Sequence, residues 1–162
     1  LDIGYMAHLK DPNGFSIELL QKGFAGRAEP LGMGHAIGGQ STMAHITLRV
    51  TDITVAQTYF ENYLGMRLMS VQPIEGRDFC LYFYSWSEEN LPYPDDLKAA
   101  GNREWLWHRP YTFIELQHLQ SPTASIQPTT QTTCGFDGFC YQTAKGEQAI
   151  NVGALEKALN IG

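Results

Sequence analysis

The chain has 162 residues, of which 43% are hydrophobic and 17% are charged, a composition typical of a globular protein of one or two small domains. Its formal net charge of −6 provides no basic surface for nucleic acid or anionic lipid, and it has no run of about 18 apolar residues that would predict a membrane span. The N-terminus also lacks the charged start and apolar core of a signal peptide. We therefore expect a cytoplasmic protein with a small-molecule partner.

The three cysteines, Cys80, Cys134 and Cys140, form neither a CxxC motif nor a Cys/His spacing. An odd number without such spacing argues against a disulfide framework and against a structural zinc site. We expect free thiols.

The first 22 residues predict a β-hairpin. Strand-like runs at 3–9 and 15–20 are joined by AspProAsnGly at 11–14, which is a typical turn sequence. The glycine-rich segment that follows, residues 23–43, shows little periodicity and predicts a linker.

Residues 44–120 predict a complete βαβββ module. A period-2 strand at 44–50 precedes a helix that begins near Asp52 and ends at Gly65. Three further strands are predicted at 66–71, 79–84 and 111–118, with a long insertion at 86–110 before the last of them.

The rest of the chain predicts a second linker at 121–134 and, at 135–162, the opening strand and helix of a further module. The helix is predicted over 146–160. Because the head and tail are each only part of a module, we expect either a fragment of a longer protein or a head and tail that join each other. Either case predicts module pairing, as a homodimer or within the chain.

Side-chain alternation along three strands points to a metal site. His45, Glu115 and Glu18 each lie opposite the apolar face of their strand, so the three side chains are expected to face one cavity. An imidazole and two carboxylates suit a divalent metal ion. The alternatives are a histidine with a structural hydrogen bond, and glutamates paired with Arg49 or Arg67.

Four segments resemble glyoxalase I, the lactoylglutathione lyase family of the vicinal-oxygen-chelate superfamily. HisIleThrLeuArgValThrAsp at 45–52, TyrPheGluAsnTyrLeuGlyMetArgLeu at 59–68 and PheIleGluLeuGlnHis at 113–118 are similar to its first module, and AspProAsnGlyPheSerIleGluLeu at 11–19 is similar to the closing hairpin of its second. The resemblance implies an α+β fold of paired βαβββ modules, whose curved mixed sheets form a cupped cavity for metal and ligand.

The resemblance also implies roles for individual residues. His45 and Glu115 correspond to metal ligands, and Glu18 corresponds to the glutamate that is both ligand and catalytic base. Arg49 corresponds to the residue that binds a glutathione carboxylate. The implied reaction is the metal-dependent isomerisation, with zinc or nickel, of the hemithioacetal of glutathione and a 2-oxoaldehyde to a 2-hydroxyacyl thioester.

Two aromatic residues near these positions, Phe113 and Tyr82, are expected to line the substrate pocket, and the alternative is that aromatic residues at strand spacing belong to the core. His118 lies on the opposite face of its strand from Glu115, which favours a structural role.

Two positions depart from the family pattern. Gly138 stands where the family has a second histidine ligand, and Leu119 stands where it has an asparagine that contacts glutathione. Two alternatives therefore stay open. One is another enzyme of the superfamily, such as a thiol transferase or an extradiol dioxygenase, for which His8 is the available second histidine. The other is a non-catalytic binding module with a degraded metal site.

Overall fold

The computed structural model describes residues 6–20, 42–126, 138–143 and 146–151, and these form a mixed α+β fold. In the described ranges, no helix is long and apolar enough to cross a membrane. The elements in chain order are β1 (Met6–Lys10), β2 (Ser16–Leu20), β3 (His45–Val50), α1 (Ile53–Gln57) with a π-helical continuation (Thr58–Tyr63), β4 (Arg67–Pro73), β5 (Phe79–Ser85), α2 (Ala100–Trp107), β6 (Phe113–Leu119), β7 (Gly138–Thr143) and β8 (Gly146–Asn151).

The central part of the chain forms the predicted βαβββ unit. Its four strands make one sheet in the order β3-β6-β5-β4. The first and last strands, β3 and β6, are parallel, and the β6-β5 and β5-β4 pairs are antiparallel. The strand that opens the unit is therefore hydrogen-bonded to the strand that closes it.

The helix begins where the sequence predicts. The Asp52 carboxylate accepts a hydrogen bond from the Val55 amide at 3.1 Å, which satisfies one of the free donors of the first turn. Gly65, with φ of 65°, allows the chain to turn into β4. The helix packs on one face of the sheet in a cluster that we call the helix-side core, whose buried members are Val50, Ala56, Phe60, Met66, Tyr84, Ile114 and Leu116.

The other face of the sheet carries a second cluster, the cavity-side core. Here side chains of the sheet pack against the insertion between β5 and β6, which contains α2. The buried members are Met69, Phe83, Leu91, Leu106, Trp107 and Phe113. The helix α2 within this insertion was not among the elements predicted from the sequence.

A register shift in β4 allows this second packing. Between Leu68 and Ser70 the pairing with β5 moves by one residue, so Ser70 lies opposite Phe83 and Gln72 lies opposite Leu81. The Gln72 side-chain amide donates to the Lys98 carbonyl at 3.3 Å and to the Ser70 hydroxyl at 2.8 Å. The shift thus turns two buried polar side chains toward the insertion and anchors it.

The two ends of the described chain form separate hairpins. In β1-β2 the Asp11 carboxylate accepts hydrogen bonds from the amides of Asn13 and Phe15, which fixes the predicted turn. At the other end, β7 pairs antiparallel with β8.

The prediction of a helix beginning at residue 146 is wrong, because residues 146–151 form a strand. The helical pattern depended mainly on Leu155 and Leu159, which lie beyond this strand and outside the described residues. Backbone pairing with β7 satisfies the amides of 146–151 without a helix. The greater part of both predicted linkers also falls outside the described ranges.

Replacing Phe60 by alanine is expected to lower the free energy of unfolding by about 3–5 kcal/mol, because its ring is fully buried in the helix-side core and truncation leaves a cavity. Urea unfolding followed by far-ultraviolet circular dichroism measures the change. The matched control is Tyr63→Ala, since Tyr63 is 78% exposed and its ring stacks on Tyr59. Its cost should stay below about 1 kcal/mol. Equal losses in the two variants would contradict the packing.

Candidate functional site

The cavity side of the sheet holds a buried imidazole. His45 begins β3, and its ring stacks on Phe113 of β6 with centroids 5.4 Å apart and planes inclined by 26°. Its Nε2 lies 3.8 Å from Oε2 of Glu115. The other ring nitrogen, Nδ1, is buried and has no hydrogen-bond partner among the described residues. The stacking holds the ring so that Nε2 faces the carboxylate.

Glu115 is a buried acid in the middle of β6, with 9% of its surface exposed. The Thr47 hydroxyl donates a hydrogen bond to its Oε1 at 3.1 Å. Burial raises the pKa of Glu115 to about 7, against the opposing effect of the Thr47 hydrogen bond, and the nearby negative charge of Glu18 raises it further.

Burial has the opposite effect on the pKa of the neighbouring base, His45. It lowers the pKa of His45, and the Glu18 carboxylate partly offsets that decrease. Desolvation is the largest cause of both pKa shifts, so near neutral pH His45 is neutral and Glu115 is close to its midpoint of ionisation. A metal ion binds a neutral imidazole and an ionised carboxylate, so His45 has the required form at this pH and Glu115 would release its proton on binding.

The hairpin carries the third predicted residue within electrostatic reach of the other two. Glu18 of β2 pairs across the hairpin with His8 of β1, and His8 Nε2 lies 3.0 Å from Glu18 Oε2. Glu18 is close enough to affect the pKa of both His45 and Glu115. On the same face of β2, Leu20 packs against the cavity-side core. The negative charge of Glu18 therefore acts on the ionisation of both other sequence-predicted residues, His45 and Glu115.

The donors fit a divalent metal ion in type and, for two of them, in separation. The separation of 3.8 Å between His45 Nε2 and Glu115 Oε2 would allow both residues to hold one divalent ion. Glu18 is instead engaged with His8. Within the part of the chain that the structure describes, no three His, Cys, Asp or Glu side chains are already arranged as a metal site. The three-residue ligand set therefore stays a prediction.

Further along the same two strands, Arg49 lines an open cleft. Its Nε donates a hydrogen bond to Oε1 of Gln117 at 2.9 Å, which connects β3 to β6. The cleft has a volume of about 450 Å³ and is lined by Arg49, Phe79, Gln117, Leu119, Ser125 and Ile126. Leu119 gives the cleft an apolar surface that cannot form hydrogen bonds with a ligand.

The two aromatic residues predicted to line the pocket lie on opposite faces of the sheet. Phe113 is on the cavity side, against His45. Tyr82 packs against the helix-side core, so its assignment to the pocket is wrong. The reason is strand alternation: Tyr82 is paired with Leu116, and it is Phe83 that is paired with Glu115. The expected structural role of His118 agrees with its position beside the Tyr82 ring.

Sequence reasoning missed Thr47 as a contact of Glu115. The signal was present, because Thr47 shares the face of β3 that carries His45. What the sequence lacked was the register, which places Thr47 directly opposite Glu115 in the parallel pair. Sequence reasoning also did not predict that the insertion covers part of the cavity side of the sheet. That contact depends on α2 and on the register shift in β4.

Replacing Glu115 by glutamine is expected to raise the free energy of unfolding by an amount that grows between about pH 4.5 and pH 7. The folded chain keeps the Glu115 proton up to about pH 7, whereas the unfolded chain loses it near 4.5, so the wild type loses stability as pH rises through that interval. The full shift corresponds to an order of 3 kcal/mol. Urea unfolding of both proteins across this interval measures it. The exposed Glu75→Gln serves as control, and a difference that does not change with pH would contradict the assignment.

Comparisons with known proteins give limited similarity. No protein-family model matches the chain, and no curated protein sequence matches it. Among solved structures, glyoxalase I from Zea mays and a mutant of the same enzyme are similar to it, each with 20% sequence identity and a TM-score of 0.43. Each match covers 70% of this chain and 29% of the other, so this chain spans less than a third of their length.

Proposed function

We propose that the chain is a glyoxalase-type module that binds a divalent metal ion, zinc or nickel, through His45, Glu115 and Glu18. Its reaction is the isomerisation of the hemithioacetal of glutathione and a 2-oxoaldehyde to a 2-hydroxyacyl thioester. The observation that carries the proposal is the buried Glu115 carboxyl, which faces His45 Nε2 at 3.8 Å while Glu18 raises its pKa from the hairpin. Apart from the Thr47 hydroxyl on Oε1, the buried acid faces only a buried imidazole among the described residues, and such an arrangement favours a bound cation.

The metal ion would supply polarisation of two substrate oxygens, which lowers the barrier to removing a proton from carbon. In this proposal Glu18 is the base that takes the proton from the carbon bonded to sulfur and returns it to the neighbouring carbon. A second proton moves between the two oxygens, so no atom is gained or lost. Glu18 suits this role better than Glu115, because it is more accessible and lies beside His8, which can exchange a proton with it.

The cleft at Arg49 is the proposed site for the rest of the substrate. Its guanidinium group attracts a carboxylate, and Gln117 fixes the side chain from the neighbouring strand. Leu119 cannot donate hydrogen bonds to a glutathione backbone, and each polar group left unpaired there would cost on the order of 1–3 kcal/mol. We therefore expect slow turnover of glutathione adducts.

Module pairing, as a homodimer or within the chain, is part of the proposal. On the hairpin, Leu9 and Ile17 are cross-strand neighbours on the face opposite His8 and Glu18, and each is about 40% exposed. A two-stranded hairpin with an exposed apolar face is marginally stable by itself, which favours its burial against another module.

One specific observation favours a second candidate. His8 lies beside Glu18, so a metal site could include His8, His45 and Glu115. Two histidines and one carboxylate are the ligands of non-haem iron enzymes, including extradiol dioxygenases. This candidate requires His8 for metal binding, whereas the glyoxalase-type site does not.

Metal titration by isothermal calorimetry tests the site. The wild type is expected to bind one zinc or nickel ion per chain, and Glu115→Gln should weaken binding at least about tenfold, or about 1.4 kcal/mol, because a charged ligand is lost. Glu75→Gln, at an exposed turn, is the matched control and should bind like the wild type. His8→Ala separates the two candidates. Absence of binding in the wild type would leave the non-catalytic module as the better interpretation.

The base is tested by the rate of thioester formation from methylglyoxal and glutathione. Glu18→Gln should lower kcat by about 10²–10⁴-fold, the usual contribution of general base catalysis, in protein saturated with metal. Equal turnover in the wild type and in Glu18→Gln would refute the assignment of Glu18 as base.

A further inference from the structure

Helix α2 directs an arginine toward the cavity side of the sheet. Arg103, Leu106 and Trp107 are spaced three and four residues apart, so they share one face of the helix. Leu106 and Trp107 belong to the cavity-side core. Arg103 is only 2% exposed, and its guanidinium carbon lies 5.0 Å from the centre of the Trp107 ring.

Two nitrogens of this buried guanidinium, Nε and Nη2, have no hydrogen-bond acceptor among the described residues. These two N–H groups point in the same direction and form the fork that binds both oxygens of a carboxylate or phosphate. Glu104 attracts the charge, but in the described part of the chain no carboxylate lies within 4.0 Å of Arg103. Arg109, by contrast, pairs with Glu89 at 3.3 Å.

The energetics of this arrangement favour an anion. Burial lowers the pKa of Arg103, mainly by desolvation, but an arginine still keeps its charge at neutral pH. A buried cation without a counter-ion is strongly destabilising, and donors left without acceptors add to that cost. The Trp107 ring face compensates only in part, since a cation over an aromatic ring is stabilised by about 0.5–2 kcal/mol.

We propose that the Arg103 fork is a receptor for a small oxyanion, a carboxylate or a phosphate group, bound on the cavity side of the sheet. Both open nitrogens are shielded from solvent by the surrounding protein, which limits the ligand to a small group. The receptor lies on the same side of the sheet as Phe113 and His45, but none of the proposed metal ligands forms part of it. The proposal of an oxyanion receptor at Arg103 does not depend on the proposed glyoxalase-type function.

Thermal unfolding of the full chain without added metal tests the receptor, with inorganic phosphate and acetate as probes at constant ionic strength. At about a hundredfold excess of probe over its dissociation constant, the Tm of the wild type should rise by several degrees with at least one of them. Arg103→Met should show no rise. Arg77→Met, which removes an exposed positive charge from the β4-β5 turn, is the matched control and should respond like the wild type.

Arg103→Lys keeps the charge without the fork, and it replaces Arg103→Met if that variant does not fold. It should show a smaller rise than the wild type, because an ammonium group cannot bind both oxygens in the same way. The proposal is overturned if neither probe stabilises the wild type, or if Arg103→Met and Arg103→Lys respond as fully as the wild type. It is also overturned if stability rises with protein concentration alone and Arg103→Met abolishes that rise, since the anion would then come from a second copy.

Discussion

Burial of an acid in the middle of a strand is the constraint on which the cavity side of this molecule depends. Glu115 lies between Ile114 and Leu116, both of which pack in the helix-side core, so its side chain must emerge on the opposite face. There the Thr47 hydroxyl and the His45 ring are its neighbours, and both belong to β3. The parallel pairing of β3 with β6 is therefore what gives this acid its polar contacts.

The same face must also exclude water, and the insertion does this on the half of the sheet formed by β4 and β5. Without the register shift after Leu68, Ser70 and Gln72 would face the helix-side core, where their polar groups would have no partners. With the shift, they bind the backbone of residues 97–99 and bring Leu97 against the cavity-side core. One extra residue in a strand thus allows the insertion to pack on this half of the sheet face.

Much of the βαβββ unit could be predicted from the sequence because its signals are local. Alternation in β3 and β6 placed His45 and Glu115 on one face, and the Asp52 cap and Gly65 marked the ends of the helical segment. The assignment of Tyr82 failed because two aromatic-rich faces of β5 look alike in sequence, and only its pairing with β6 distinguishes Tyr82 from Phe83. Helix α2 was missed because its buried face includes Asn102 and Arg103, which weaken the apolar pattern. The strand β8 depends on pairing with β7, which no local pattern reveals.

The pairing of β3 with β6 has a consequence for how the chain acquires its site. His45 and Glu115 are separated by 70 positions, and the two strands that carry them cannot meet until the helix, β4, β5 and the insertion lie between them in the chain. Contacts of such long sequence separation form late and slowly, because the intervening loop must first lose its entropy. During synthesis, a chain that has emerged only as far as β5 can already pair β4 with β5, yet it cannot assemble the acid and the imidazole. Any ligand that requires both residues would therefore bind only chains whose central unit is complete, and by mass action it would stabilise that state against partly folded ones.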